Sequence, residues 1–501
     1  MTDPRLPVVV GAGQVSQRVA PGDARAPIDL LADACRAADA DSNAVRSLLD
    51  QVGIVAIAQI GSWRYPDPGA LLARRLGIEP RSTMVSTVGG NSPQLLVNEM
   101  AARIQRNELD VAIVGGAEAM HTRWRARREP RVDLTWETGD DPPCESVIGD
   151  SRPGASPYEA VHSALAPPMV YPLFETALRA TAGRSVDEHQ RHVSELWARF
   201  ATVAAANPAA WSQRAFSAEE IRSVSSDNRM VCFPYPKRMC ANIDVDQAAA
   251  ILVCSYDAAR AAGVPDDRMV FLHAAAEVHD HYFFTERWSL ADSPGIATAV
   301  GDALQAAGIG VDDVSSFDLY SCFPSAVQVA VRALGLAVDD PRPLTVTGGL
   351  GFAGGPVNNY PTHAIARMVQ VLRADPTSFG CTTALGWYIS KHATGIWSAA
   401  PPGNGFRRVD PSASQAKVDA TPRRDAAGLI DGPVTLEATS VAFERDGLPS
   451  LGIVTALTSD GRRALANVRD RDALHALTTE AHEGRTVRVR NDGTTNTADL
   501  N

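Results

Sequence analysis

Two stretches of this chain carry the same device, and that repetition constrains the fold more than any other feature. Ser82 to Val88 is a strand-like run that ends in Gly89-Gly90-Asn91-Ser92 and opens an apolar helix, PQLLVNEMAARIQ. Asp110 to Val114 is the next strand and ends in Gly115-Gly116-Ala117-Glu118-Ala119-Met120. Further on, a short β-type run from Leu344 to Thr347 enters a glycine-rich turn, and Gly354-Gly355 opens an amphipathic helix running to about Leu372. The paired glycines lie 265 residues apart. Glycines permit positive φ and close approach to the backbone. The helix behind each pair aims unpaired N–H groups and the positive end of its dipole at the turn. A repeat this long predicts a duplicated α/β core in which two helix N-termini face one cleft. Asn358, Asn359, Tyr360 and His363 decorate the second helix as a floor for an oxyanion or an acyl group.

At 501 residues there is room for two to four domains and a sizeable core. Hydrophobic residues make up 45% and charged residues 21%, as in an ordinary globular enzyme. A net charge of −11 argues against a nucleic-acid partner. No apolar run approaches the ~18 residues of a membrane span. MTDPRLPVVV lacks the basic and apolar regions of a signal peptide, and TADLN is no peroxisomal address, so the expected location is cytoplasmic with no membrane partner. Seven scattered cysteines without a C-x-x-C pair point to reduced thiols, not to disulfides or a zinc site.

Residues 7 to 118 alternate strand and helix and predict a mostly parallel sheet. Val8-Val-Val-Gly-Ala-Gly13 is a poor dinucleotide fingerprint, because Ser16 holds the third glycine position and Pro21-Gly22 break the expected helix. From about Glu118 to Tyr235 the alternation stops. Arg123, Arg125, Arg127, Arg128 and Arg131 form a basic run there, either a grip for ligand phosphates or a solvated cluster paired with nearby acids. Ser185-x-x-Glu188 and Ser217-x-x-Glu220 predict capping boxes. After the strand Met269 to Glu277, His279 and His281 would share a strand face, as metal ligands, as pocket acid/base groups, or as structural histidines. No third metal ligand accompanies them, so no metal is expected. Tyr320 ends the strand Ser316 to Tyr320, where open α/β sheets place ligands. Ala399 to Asp425 reads as a linker, and a small β-rich unit with one helix follows, its strands at 433–443, 451–457, 464–468 and 486–489. Its one aromatic, Phe443, is too few to stack single-stranded nucleic acid.

In their order these residues resemble the thiolase superfamily, in particular the sterol-carrier-protein-type thiolases and acetyl-CoA acetyltransferase-like proteins. VGGAEAM (114–120) is similar to the family's AGG-x-E-x-M, and MCANIDVDQAAA (239–250) to its N-x-S-x-x-x-D-G-A-A-A. LYSCFP (319–324) stands where relatives carry H-D-C-F or N-E-A-F, TGGLGFAGGP (347–356) resembles NGGxxAxGHP, and CTTALG (381–386) stands at the C-x-G. The resemblance covers roughly residues 5 to 400. It implies an α/β, duplicated thiolase fold of two βαβαβαββ halves in a five-layer αβαβα stack. The implied N-terminal half spans 1–118 plus 236–267, with a loop domain at 119–235. The C-terminal half spans 268–400, a linker 401–430, and an additional β-rich, OB-like domain 431–501.

The departures bear on function. The family's nucleophilic cysteine falls on Gly90, its GHP histidine on Gly355, and its acid/base cysteine on Ala384. Cysteine-dependent thiolysis or Claisen condensation needs a thiolate and a proton shuttle, which glycine and alanine do not supply. The backbone at Gly90 and Gly386 keeps N–H groups for an oxyanion hole. The resemblance therefore implies an acyl-CoA-like ligand in lipid metabolism, as substrate or ligand and with no cofactor besides. Asn91, Ser92, Asn358, Asn359, His279, Arg123 and Arg125 are the candidate contacts. Three readings stay open. One is cysteine-independent chemistry such as retro-aldol cleavage, with Tyr320 as acid/base helped by Tyr360 or His363. Another is a non-enzymatic acyl-binding or scaffold protein. The third is an acyltransferase with a displaced nucleophile, Cys322 or Ser92. A homodimer through the core and a monomer are both open.

Overall fold

A computed structural model describes residues 2–129 and 132–500. The first half runs β1 (Pro7–Ser16), α1 (Pro27–Asp41), β2 (Ile54–Ile57), α2 (Pro68–Leu76), β3 (Ser82–Ser86), α3 (Ser92–Gln105) and β4 (Val111–Ala119). The inserted region holds α4 (Met120–Ala126), β5 (Val147–Ile148), α5 (Pro157–Val161), α6 (Pro167–Thr181), α7 (Val186–Ala206), α8 (Ala218–Arg222), β6 (Met230–Phe233) and β7 (Tyr235–Pro236). Both capping boxes form, Ser185 with Glu188 and Ser217 with Glu220. The chain returns through β8 (Asp246–Ser255) and α9 (Tyr256–Ala262).

The second half runs β9 (Val270–His279), α10 (Pro294–Ala307), β10 (Val314–Asp318), α11 (Pro324–Ala333), α12 (Tyr360–Ala374), β11 (Phe379–Gly386) and β12 (Lys391–Ser398). Leu344 to Thr347 is not a ladder strand. It only accepts two backbone hydrogen bonds from Phe317 and Leu319, at Pro343 and Leu344, and its own N–H groups turn to the Asp318 carboxylate. Helix α12 begins at Tyr360, five residues after the position expected, because 350–358 stay in turns.

The strands form one sheet in the order β10-β11-β12-β9-β1-β8-β4-β2-β3-β5, with the halves joined where β1 pairs β9. The sheet is mixed, not mostly parallel. β2, β3 and β4 are parallel, but β8 re-enters after the insertion and runs antiparallel to both β1 and β4. Helix α3 touches β4, β8 and β1 on one side and β9, β11 and β12 on the other, with α12 beside it. Burial on both sides explains why α3 is apolar almost all round. Helices α1 and α2 cover the outer face of the first half and α10 that of the second, which completes the five layers. The glycines of the V-V-V-G-A-G run serve this packing. A β-carbon at Gly11 would fall on the Ala38 carbonyl of α1, so glycine lets helix and strand close up.

At the sheet edge, β5 pairs parallel to β3, Val85 opposite Val147 and Ser86 opposite Ile148. The region read as a linker is partly structured: β13 (Arg407–Arg408) pairs with β9, and α13 (Pro411–Asp419) packs on β9 and α10. The C-terminal unit contains β14 (Gly432–Phe443), β15 (Pro449–Leu457), β16 (Arg463–Val468), α14 (Arg471–Thr479), β17 (Thr486–Asn491) and β18 (Asn496–Asp499). Its strands close in a five-stranded barrel, β14-β15-β16-β18-β17, and the β6–β7 hairpin of the insertion extends it from β14. Strand β18 is additional to those read from sequence. Its alternation is carried by Asn496 and Ala498, too polar and short to register as a strand. Arg463, fully buried and paired with Glu437 of β14, ties the barrel to the core through the carbonyls of Phe284, Thr285, Arg287 and Trp288. Among the described residues no helix is long and apolar enough to cross a membrane.

Candidate functional site

The turn from β3 into α3 is the meeting point of the two halves. The Gly89 N–H donates to Asn358 Oδ1 at 2.9 Å, and Asn358 Nδ2 donates to the Gln59 carbonyl at 2.7 Å. Asn359 Nδ2 donates to the Gly116 carbonyl. Glycine is required at position 90, because a β-carbon there would fall on the Tyr320 hydroxyl and lie 2.5 Å from the Leu385 carbonyl oxygen. The space that a side chain at 90 would use is therefore filled from the other half of the molecule. Beside Tyr320 and Ala384 only about 10 Å³ of cavity remains, enough for at most a single water.

Of the residues singled out from sequence, the fold gathers Gly90, Asn91, Ser92, Tyr320, Ala384, Gly386 and Asn358 around this turn. Asn91 is buried, and its Oδ1 has no hydrogen-bond partner. Ser92 is also buried, its hydroxyl donating to the Thr87 carbonyl at 2.8 Å. Among the described residues the Gly90 and Asn91 N–H groups have no acceptor.

Other candidates stand elsewhere. Tyr360 donates to Asp318 Oδ1 at 2.8 Å and pairs with Thr347, so its hydroxyl closes a buried network and does not face a ligand. Burial and the Asp318 charge push its pKa well up. Burial likewise pushes up that of Tyr320, whose hydroxyl lies against the Gly90 backbone. His363 turns to Gln14 of β1 at 2.8 Å, and burial lowers its pKa to about 3. Cys322 is buried behind Tyr171, and burial pushes its thiol up to about 12, a poor nucleophile. Gly355 donates its N–H to the Asn242 carbonyl on the loop before α12. His279 and His281 do not share a strand face: β9 ends at His279, whose Nε2 meets Asp150 at 3.2 Å, while His281 bonds Thr421. Burial lowers the His279 pKa to about 4.

The large cavity lies on the other side of the β3–α3 turn and measures about 870 Å³. Gln59–Pro66 roof it, Val85–Val88 form one wall, and Asp150–Arg152 with Trp387 form another. Arg123 reaches it and donates to the Gly61 carbonyl; Arg125 instead bonds Val19 and Glu129, and Arg131 lies outside the described residues. The roof is held from beneath. Glu118, 1% exposed, accepts from the Gly61 and Ser62 N–H groups at 2.7 Å each, and burial still raises its pKa to about 7. The indole N–H groups of Trp63 and Trp387 have no partner. Sequence reasoning missed Lys391. It is 1% exposed and donates to the carbonyls of Val88 at 2.6 Å and Asp150 at 3.1 Å, two residues of the cavity wall. One signal stood in the composition: the chain has only three lysines, Lys237, Lys391 and Lys417, against 44 arginines.

Comparisons place these features among known proteins. The domain family described as the thiolase-like protein type 1 additional C-terminal domain matches residues 414–494, which include the last six residues of α13 in the stretch read as a linker. A crystal structure of a monomeric SCP2-thiolase-like protein type 1 from Mycobacterium smegmatis is similar over 100% of both chains, with 34% identity and a TM-score of 0.85. The dimeric peroxisomal thiolase of Saccharomyces cerevisiae aligns with 79% of this chain and 98% of its own at 15% identity, TM-score 0.56. A structure described as an Ltp2–ChsH2(DUF35) aldolase aligns with 79% and 98% at 18% identity, TM-score 0.58. At those identities the last two speak for the fold alone. No curated protein matches the chain.

Proposed function

Because this chain belongs to the SCP2-thiolase-like proteins of type 1, we propose that it binds an acyl-CoA or related acyl ligand in lipid metabolism and does not carry out cysteine-dependent thiolysis. The observation that carries the second half is the turn at Gly90. No nucleophile stands there, and Tyr320 and Leu385 fill the space one would need. The first half is supported by the 870 Å³ cavity, within the range of small-molecule sites, with an apolar wall, two free indole N–H groups and the guanidinium groups of Arg64, Arg123 and Arg152. An acyl tail and an anionic head group suit that lining. Tyrosine-based aldol chemistry loses its second tyrosine because the Tyr360 hydroxyl is committed to Asp318 and Thr347, which leaves the buried Tyr320 alone, and a displaced Cys322 nucleophile loses support because the thiol is held protonated. The binding reading is thereby favoured over the two catalytic ones.

The chain is read as a monomer. The Mycobacterium smegmatis relative is described as monomeric, and here the two-residue β5 covers Val85 and Ser86 at the outer edge of β3, which shortens the edge open to a second copy. Calorimetric titration with CoA and acyl-CoAs of rising chain length tests the ligand. Micromolar binding by one of them, weakened about tenfold or more by Arg123→Ala or Trp387→Ala, is the expected result. No heat across the panel sinks the acyl-CoA reading.

A further inference from the structure

Lys391 is a buried cation without an acid. Arg463, another buried cation, meets Glu437 at 2.6 Å, whereas no carboxylate lies within ion-pairing distance of Lys391 among the described residues. Its ammonium is satisfied only by two backbone carbonyls. It also stands at the positive end of α3, where a cation is repelled. A β-carbon on Gly89 would lie 2.9 Å from Lys391 Nζ, so the amine is packed against the α3 turn, with the Trp387 ring centre 5.8 Å away. A protein that uses arginine 44 times has kept lysine at this one interior position. Arginine cannot lose its proton, and lysine can.

We infer that Lys391 is the covalent anchor of the cavity, its amine taking the carbonyl of an aldehyde or ketone ligand as an imine. The Nζ lone pair attacks the carbonyl carbon and an N–C bond forms. The C=O π pair moves to oxygen, which takes a proton from the nitrogen. A second proton, taken from solvent water, lets the C–O bond break as the nitrogen lone pair forms the C=N bond; water leaves with the C–O bonding pair, and the iminium nitrogen returns its proton to solvent. The products are an imine and water, with no oxidant or reductant consumed. The groups facing the amine are Asp150 and Arg152 from the cavity wall and His279, paired with Lys391 across β9 and β12. Burial first, and then Arg152, lower the lysine to about 8 against the pull of Asp150. At pH 8 its neutral fraction then exceeds that of an ordinary lysine on the order of 100-fold.

This inference rests on the cavity being a ligand site. The full-length protein is treated with butanal or acetoacetate at pH 8, reduced with cyanoborohydride, and mapped by peptide mass spectrometry. With three lysines, Lys237 and Lys417 serve as exposed internal controls. The expected result is at least about ten times more label on Lys391 than on either control, the rest of the amine's advantage being lost to restricted access. Label confined to Lys237, Lys417 or the α-amino group overturns the anchor. Lys391→Arg should abolish the core label; if that variant does not fold, the wild-type map alone decides. Acyl-CoA heat without label at Lys391 leaves the binding proposal standing and removes this one; label without acyl-CoA heat does the reverse.

Discussion

Gly90→Ala tests whether the two halves really close over the α3 turn. The added methyl would meet the Tyr320 hydroxyl and lie 2.5 Å from the Leu385 oxygen, about 0.9 Å inside ordinary contact. Part of that obstruction is backbone, which gives way poorly, so the cost belongs at the upper end of the ~1–3 kcal/mol of core overpacking. For a chain of this length about 1 kcal/mol moves Tm by roughly 1 °C, which predicts a fall near 3 °C. Tyr320→Ala leaves a cavity and costs ~3–5 kcal/mol by itself. In that background the methyl at 90 enters vacated space and only the Leu385 contact persists. The double variant should therefore be more stable than the sum of the singles by at least about 1 kcal/mol. The assay is denaturant and thermal melting of the four proteins of the cycle, followed by near-ultraviolet circular dichroism. Additivity within ~0.5 kcal/mol would refute the claim that Tyr320 occupies the side-chain space of position 90. Gly90→Cys should give no thiolysis, since Gly355 and Ala384 supply no proton shuttle.

The buried ammonium of Lys391 destabilises the fold fully below pH 8, and the penalty fades as pH rises from 8 through the unfolded value of 10.5, because there the unfolded chain binds the extra proton. Lys391→Met should remove that rise from the stability–pH curve; an identical curve in both proteins contradicts the depressed lysine. Arg463→Ala leaves Glu437 and several carbonyls unpaired at the barrel–core contact, a loss of ~3–5 kcal/mol. Limited proteolysis should then cut between 401 and 430 well before the wild type is touched. Iodoacetamide at pH 8 should spare Cys322 in the folded protein, whose thiol burial pushes to about 12; rapid alkylation there would reopen the acyltransferase reading.

What the sequence determined by itself is the periodic and the local. The strand–Gly-Gly–helix unit at 82–120 announced a core helix between two layers, because a helix buried all round must be apolar all round. The capping boxes at Ser185 and Ser217 were legible because their partners lie three residues away, and the barrel strand at 433–443 because its alternation runs along the strand itself. The absence of a cysteine at 90 and of a histidine at 355 was visible in the letters. Tertiary structure alone decided what those positions became. Tyr320 lies 230 residues from Gly90 and covers it, and Tyr360 is drawn off to Asp318 while His363 turns to Gln14. Lys391 reaches Val88 from 303 residues away. A side chain's chemistry depends on burial and on partners from the far half of the chain. In a duplicated fold the two halves meet at the α3 turn only after the sheet has closed, so no local pattern foretells it.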